Sequence, residues 1–212
     1  MRRRILVLLI VFSAAFALFS AEIQKTDRIT VYMRGTLSPS FASEKVFSYP
    51  AKNGNIHALM GIDAAADIYK NDESAKMGIS THLFVSYPVI SRKYTSFKGE
   101  DISERKLVLN ASAGLVFRCT PSDYLDASVA LRFGVLSYDY FSQDLILTLT
   151  VEPRVDYFLT DDIFVTAAIS ITNGFIKFTP GHEETWYESG YTTVISRLEL
   201  GAGWKIGGDR KR

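Results

Sequence analysis

From Leu145 to Tyr157 the chain alternates with a period of two. One face carries Leu145, Leu147, Leu149, Val151, Pro153, Val155 and Tyr157; the other carries Ile146, Thr148, Thr150, Glu152, Arg154 and Asp156. Successive side chains of an extended strand point to opposite sides, whereas a helix would scatter this pattern around its axis. The segment is therefore a long strand with one apolar and one polar face. Few folds can use such an element.

Seven more segments repeat the split. The first sets Ile29, Val31 and Met33 against Thr30, Tyr32 and Arg34. The second sets Met60, Ile62 and Ile68 against His57, Gly61, Asp63 and Asp67, and the third Met77, Ile79 and Leu83 against Gly78, Ser80, His82 and Phe84. The fourth has Leu109, Leu115 and Phe117 opposite Asn110, Gly114 and Arg118; the fifth has Val129, Leu131 and Phe133 opposite Asp126, Arg132 and Gly134. The seventh pairs Ile163, Val165 and Ile169 with Thr166 and Ser170, and the eighth Leu198, Leu200 and Trp204 with Arg197, Glu199, Gly201 and Lys205. Short connections rich in turn formers lie at 70–74, 120–123 and 159–162. Longer ones are expected at 38–55, 88–105 and 173–192, with 139–144 the short exception. An even number of amphipathic strands with short turns at one end and long loops at the other predicts an all-β fold. It is an eight-stranded antiparallel up-and-down transmembrane β-barrel, with both chain ends on the short-turn side.

A soluble barrel also alternates, with its apolar face inward. Here the apolar faces run almost unbroken for the roughly 9–11 residues that a tilted strand needs to cross a bilayer. Aromatics (Tyr69, Tyr87, Phe117, Tyr157 and Trp204) gather near their ends, as an interfacial girdle would. The polar faces mix small residues with isolated charges, as a crowded interior requires. Arg34, Arg118, Arg132, Arg154, Arg197 and Lys205 balance Asp63, Asp67, Asp126, Glu152, Asp156 and Glu199. Reflection about the turns sets Arg118 near Asp126 and Arg132 near Glu152, so lumenal ion pairs are expected there and among Arg154, Asp156, Arg197 and Glu199. The polar face is read as the lumen and the apolar face as lipid-facing.

The rest of the chain fits export. Met1-Arg2-Arg3-Arg4 followed by the apolar run Ile5 to Leu18 and small residues predicts a cleaved signal peptide over 1–21, with the barrel over 22–212. Removing 1–21 takes three arginines and no acid, leaving 21 basic against 23 acidic side chains. That balance gives no electrostatic case for nucleic acid. A single cysteine, Cys119, excludes an intramolecular disulfide, and no metal or nucleotide motif implies a cofactor.

With these features in place, the chain resembles the small eight-stranded outer-membrane barrels of diderm bacteria: the OmpA transmembrane domain and the OmpX and OmpW families. The resemblance is architectural and spans 22–212. One motif is more specific. Glu199-Leu200-Gly201-Ala202-Gly203-Trp204-Lys205-Ile206 resembles the closing-strand signal of such barrels, in which Glu199, Gly201, Trp204 and Ile206 fill the polar, glycine, aromatic and apolar slots. Here it stands six residues before the last. The resemblance implies localisation in the outer membrane and two partners, its lipid and its assembly machinery.

Three functions are weighed. The first is a membrane-anchored structural or surface-interaction scaffold with a side-chain-filled lumen and no catalytic role. Its loop aromatics Phe175, Phe178, Trp186, Tyr187 and Tyr191 would meet an extracellular ligand or host surface. The second, implied by OmpW-like resemblance, is a narrow channel for small apolar molecules, with Gly61, Gly78, Gly114 and Gly134 leaving room in the lumen. The third is a lipid A-modifying enzyme using Asp63, His82 and Ser80.

Overall fold

The computed structural model describes residues 29–46, 55–70, 75–91, 94–95, 101–102, 107–138, 144–178 and 191–207. The signal peptide expected over 1–21 lies outside them. Among the described residues ten strands are present: β1 (Ile29–Val46), β2 (Asn55–Lys70), β3 (Ala75–Ser91), β4 (Tyr94–Thr95), β5 (Asp101–Ile102), β6 (Val108–Ser122), β7 (Leu125–Tyr138), β8 (Asp144–Phe158), β9 (Ile163–Phe178) and β10 (Tyr191–Ile206). Eight of them close into one barrel in the order β1-β10-β9-β8-β7-β6-β3-β2, and β4 and β5 form a separate two-residue ladder. Every neighbouring pair is antiparallel. Val31↔Ile206 closes the seam between the two ends of the barrel, on the short-turn side.

The alternation read from the sequence becomes an inside and an outside. Phe41, Ile62 and Phe133 are each more than 60% exposed, and Trp204 is 59% exposed, all on the outer wall. Arg132, Glu152, Arg197 and Glu199 are buried inside it. Against water, each exposed Leu, Ile or Phe would forfeit ~1.5–3 kcal/mol relative to burial; against hydrocarbon it forfeits nothing. Among the described residues no helix is long and apolar enough to cross a membrane. The strands do the crossing.

Several boundaries differ from the sequence reading. The expected 38–55 loop is shorter because β1 runs on to Val46, with Ser38 and Ser40 buried inside and Phe41 facing out. Ser38-Pro39-Ser40 has turn composition, but pairing with β2 (Pro39↔Met60, Phe41↔Ala58) keeps it extended. Likewise β3 continues to Ser91, and the β9 and β10 strands take in Phe175, Phe178 and Tyr191, which the sequence placed in a loop. Trp186 and Tyr187 lie outside the described residues. Tyr69, expected in the lipid girdle, is 1% exposed. Its odd position in β2 shares the face of Asp63 and Asp67, so parity turns it inward.

Prolines are confined to sheet edges and bulges in ordinary sheets because they lack a donor. A closed barrel has no edge; Pro88 and Pro121 lie at register shifts, and beside Pro39 and Pro153 the ladder skips instead. Pairing of β1 with β10 jumps from Leu37↔Leu200 to Ser40↔Arg197, past Pro39. Pairing of β8 with β9 jumps from Val151↔Ile171 to Arg154↔Ala168, past Pro153.

Leu131 sits mid-strand on the outer wall between Leu115 and Val151. Leu131→Arg is expected to destabilise the folded barrel by about 2–4 kcal/mol in lipid vesicles, the cost of a cation near the bilayer midplane. Urea unfolding monitored by tryptophan fluorescence checks it.

Candidate functional site in the lumen

The interior is stratified. Farthest from the short turns, Ala42, Leu59, Phe84, Val108, Leu136, Ile146 and Ile195 form one buried apolar cluster. They come from seven of the eight barrel strands, and β9 contributes Gly174, whose missing Cβ makes room for Ile146 and Thr193. Near the short turns, Tyr32, Tyr69, Val116, Ala130 and Phe164 form a second cluster, with Phe158 against it. Tyr32 and Tyr69 meet edge to face at 5.4 Å, and Phe158 and Phe164 stand at the same distance.

Between them lies a continuous ion network. Glu152 receives Arg132 through one carboxylate oxygen and Arg34 through the other, with Arg154 3.4 Å from the second oxygen. Arg34 also reaches Asp67 at 3.1 Å, and Arg154 contacts the same Asp67 oxygen. Arg154 Nε then lies 3.3 Å from Asp156, which is 3.2 Å from Arg118. Arg118 Nε donates to Asp126 at 2.8 Å, and its guanidinium lies 3.4 Å from the Tyr32 ring centroid. Arg34 on β1 and Glu152 on β8 are not on neighbouring strands. The network braces the barrel across its width.

The register explains which partners meet. Arg118 faces Ser128 and Arg132 faces Thr150, so Asp126 and Glu152 are each two residues off the direct partner. Long arginines span that diagonal. Arg197 behaves differently: it donates to Ser170 at 2.6 Å and Thr172 at 3.3 Å, stands 4.5 Å from the Phe84 ring centroid, and is 3.5 Å from Glu199. Arg34 and Asp67 were legible as lumenal charges, but their central place needs the barrel's curvature. Lys205 is only half-buried.

The glycines do not open the lumen. A Cβ on Gly78 would strike the Tyr69 ring, and one on Gly61 would strike Phe84. At Gly114 and Gly134 it would overlap backbone of the adjoining strands. These glycines admit a ring or a neighbouring strand, so the room expected of them is already filled. Nor does the Asp63–His82–Ser80 set assemble as a nucleophile and base. His82 Nε2 is 2.6 Å from Asp63, but Ser80 Oγ accepts from Arg132 at 3.0 Å. The closing-strand residues divide between faces: Glu199 is buried in the lumen while Trp204 projects outward. Cys119 is exposed on the outer wall, with Sγ 3.6 Å from the Ala127 carbonyl.

A closed sheet whose outside is apolar and whose inside is charged defines a class: the eight-stranded outer-membrane type of transmembrane β-barrel. No protein-family model matches the sequence, and no curated protein does. Among solved structures the chain is similar to Neisserial surface protein A, at 10% identity over 84% of this chain and 96% of that one, with a TM-score of 0.46. It is similar to the outer membrane protein OprG from Pseudomonas aeruginosa at 11% identity, covering 87% and 99%, TM-score 0.46. It is also similar to Ail, the attachment invasion locus protein of Yersinia pestis, at 12% identity, covering 85% and 99%, TM-score 0.41.

Glu152 holds three guanidinium groups, whereas Arg132 shares Glu152 with Arg34 and Arg154. Glu152→Gln is therefore expected to cost about 3–5 kcal/mol, the penalty for stranding buried charge, and Arg132→Met clearly less. In the double mutant the coupling should be about 1–3 kcal/mol. Equilibrium urea unfolding of the four proteins in detergent checks both statements.

Proposed function

We propose that the protein is a membrane-anchored structural or surface-interaction scaffold of the outer membrane, with no catalytic role and a lumen that does not conduct. The observation that carries this reading is the filled interior: a charged network packed between an apolar layer and an aromatic one. An eight-stranded barrel has room for little besides its own side chains. Arginines held by several acceptors each are poor material for a moving gate, because releasing one strands buried charge.

The barrel would then serve to hold its connections at the membrane surface, where an extracellular ligand or host surface would be met. Phe175, on the outer wall near the end of β9, extends the apolar belt towards that rim. Export through a signal peptide over 1–21 and recognition of Glu199, Gly201, Trp204 and Ile206 by the outer-membrane assembly machinery complete the proposal. The outward projection of Trp204 supports the second part, since a docking side chain must be reachable from outside the sheet.

Planar-bilayer recording on refolded protein tests the filled lumen. Wild type is expected to show no steady unitary openings, whereas steady openings would overturn the scaffold reading. Phe84→Ala combined with Ile195→Ala removes two large members of the apolar layer and is expected to raise transient ion leak while the barrel stays folded.

A further inference from the structure

One part of the lumen is left out of the ion network. Asp63 on β2, His82 on β3 and Glu199 on β10 each offer an atom within 4.8 Å of the others, and all three are buried. The 2.6 Å approach of His82 Nε2 to Asp63 Oδ1 lacks hydrogen-bond geometry. Neither ring nitrogen of His82, neither carboxylate oxygen of Glu199 and not Asp63 Oδ1 has a hydrogen-bond partner. Orphaned polar atoms so deeply buried are costly, and here they converge. Asp63 Oδ2, by contrast, accepts from Ser38 and lies 3.4 Å from Thr36, which leaves Oδ1 turned towards His82.

Charge points the same way. The buried set holds five arginines (Arg34, Arg118, Arg132, Arg154 and Arg197) against six carboxylates (Asp63, Asp67, Asp126, Glu152, Asp156 and Glu199). Four of those carboxylates belong to the network. Among the described residues, the guanidinium that forms an ion pair with either of the remaining two is that of Arg197, which is committed to Ser170, Thr172 and the Phe84 face and stands 3.5 Å from Glu199.

We infer that Asp63, His82 and Glu199 form a binding site for one divalent transition-metal cation, of the zinc class, inside the barrel. One imidazole and two carboxylates supply the nitrogen and oxygen donors such ions take, with a fourth position left for water. Ser38 and Thr36 orient the Asp63 ligand from behind. The cation ties β10, β2 and β3 together directly beneath the apolar layer, since Phe84 is the inward residue next to His82. A site packed between that layer and the network is loaded as the barrel folds, so binding and folding are coupled.

Cobalt(II) is the probe. The full chain is refolded from urea into detergent with Co²⁺, passed through a desalting column, and read by visible d–d absorption and metal analysis. One retained equivalent with a ligand-field spectrum is expected, together with a higher unfolding midpoint than metal-free protein. His82→Gln and Glu199→Gln should each weaken retention roughly tenfold or more. The His57→Asn/His182→Asn double variant should bind as wild type does. Heat-modifiable migration on gels shows independently that each variant has folded. Folded wild type without bound Co²⁺ would overturn the site and leave a shared proton as what balances the pair. Full retention in folded His82→Gln, or loss in the His57/His182 variant, would also overturn it.

Discussion

Hydrocarbon offers a peptide group no hydrogen-bond partner, and the rest of this structure follows from that. A sheet that crosses it must satisfy every backbone donor and acceptor internally, so it has to close. Closure at eight strands leaves an interior about one layer of side chains wide. The outer wall is free to be apolar, and the residues that cannot face lipid are driven together within. Pro39 and Pro153 show how tightly the constraint binds. Each faces outward, and the ladder skips rungs beside it because no edge exists to accommodate it.

Packing charge into so narrow a space is expensive unless each group finds several partners. Here Glu152 serves three arginines and Asp67 two, and Asp156 links Arg154 to Arg118. The network joins strands that are not neighbours and acts as an internal brace. Apolar residues do the complementary work. They cover the network on the side away from the short turns, while Tyr32 and Tyr69 take the guanidinium of Arg118 against their rings near those turns. Such an interior favours rigidity.

Much of this was written in the alternation. Period two identified the strands, the contrast between their faces separated lipid from lumen, and the turn residues set which end holds the chain termini. The diagonal partners Arg118–Asp126 and Arg132–Glu152 were within reach because short turns limit register to a slip of two residues. Strand ends were harder. Ser38-Pro39-Ser40 looks like a turn, and only its pairing with Met60 and its neighbours on β2 holds it extended.

The sequence by itself determined a closed amphipathic barrel and the population of its inside, because parity along a strand is a local property. Tertiary structure alone decided what meets across the lumen: Arg34 with Glu152, the seven-residue apolar layer, and the convergence of Asp63, His82 and Glu199. Arg34 and Glu152, and Glu199 and the β2–β3 pair of Asp63 and His82, come from strands that are not neighbours in the sheet. Their distances depend on curvature and stagger, which are properties of the closed sheet as a whole and are encoded in no single segment.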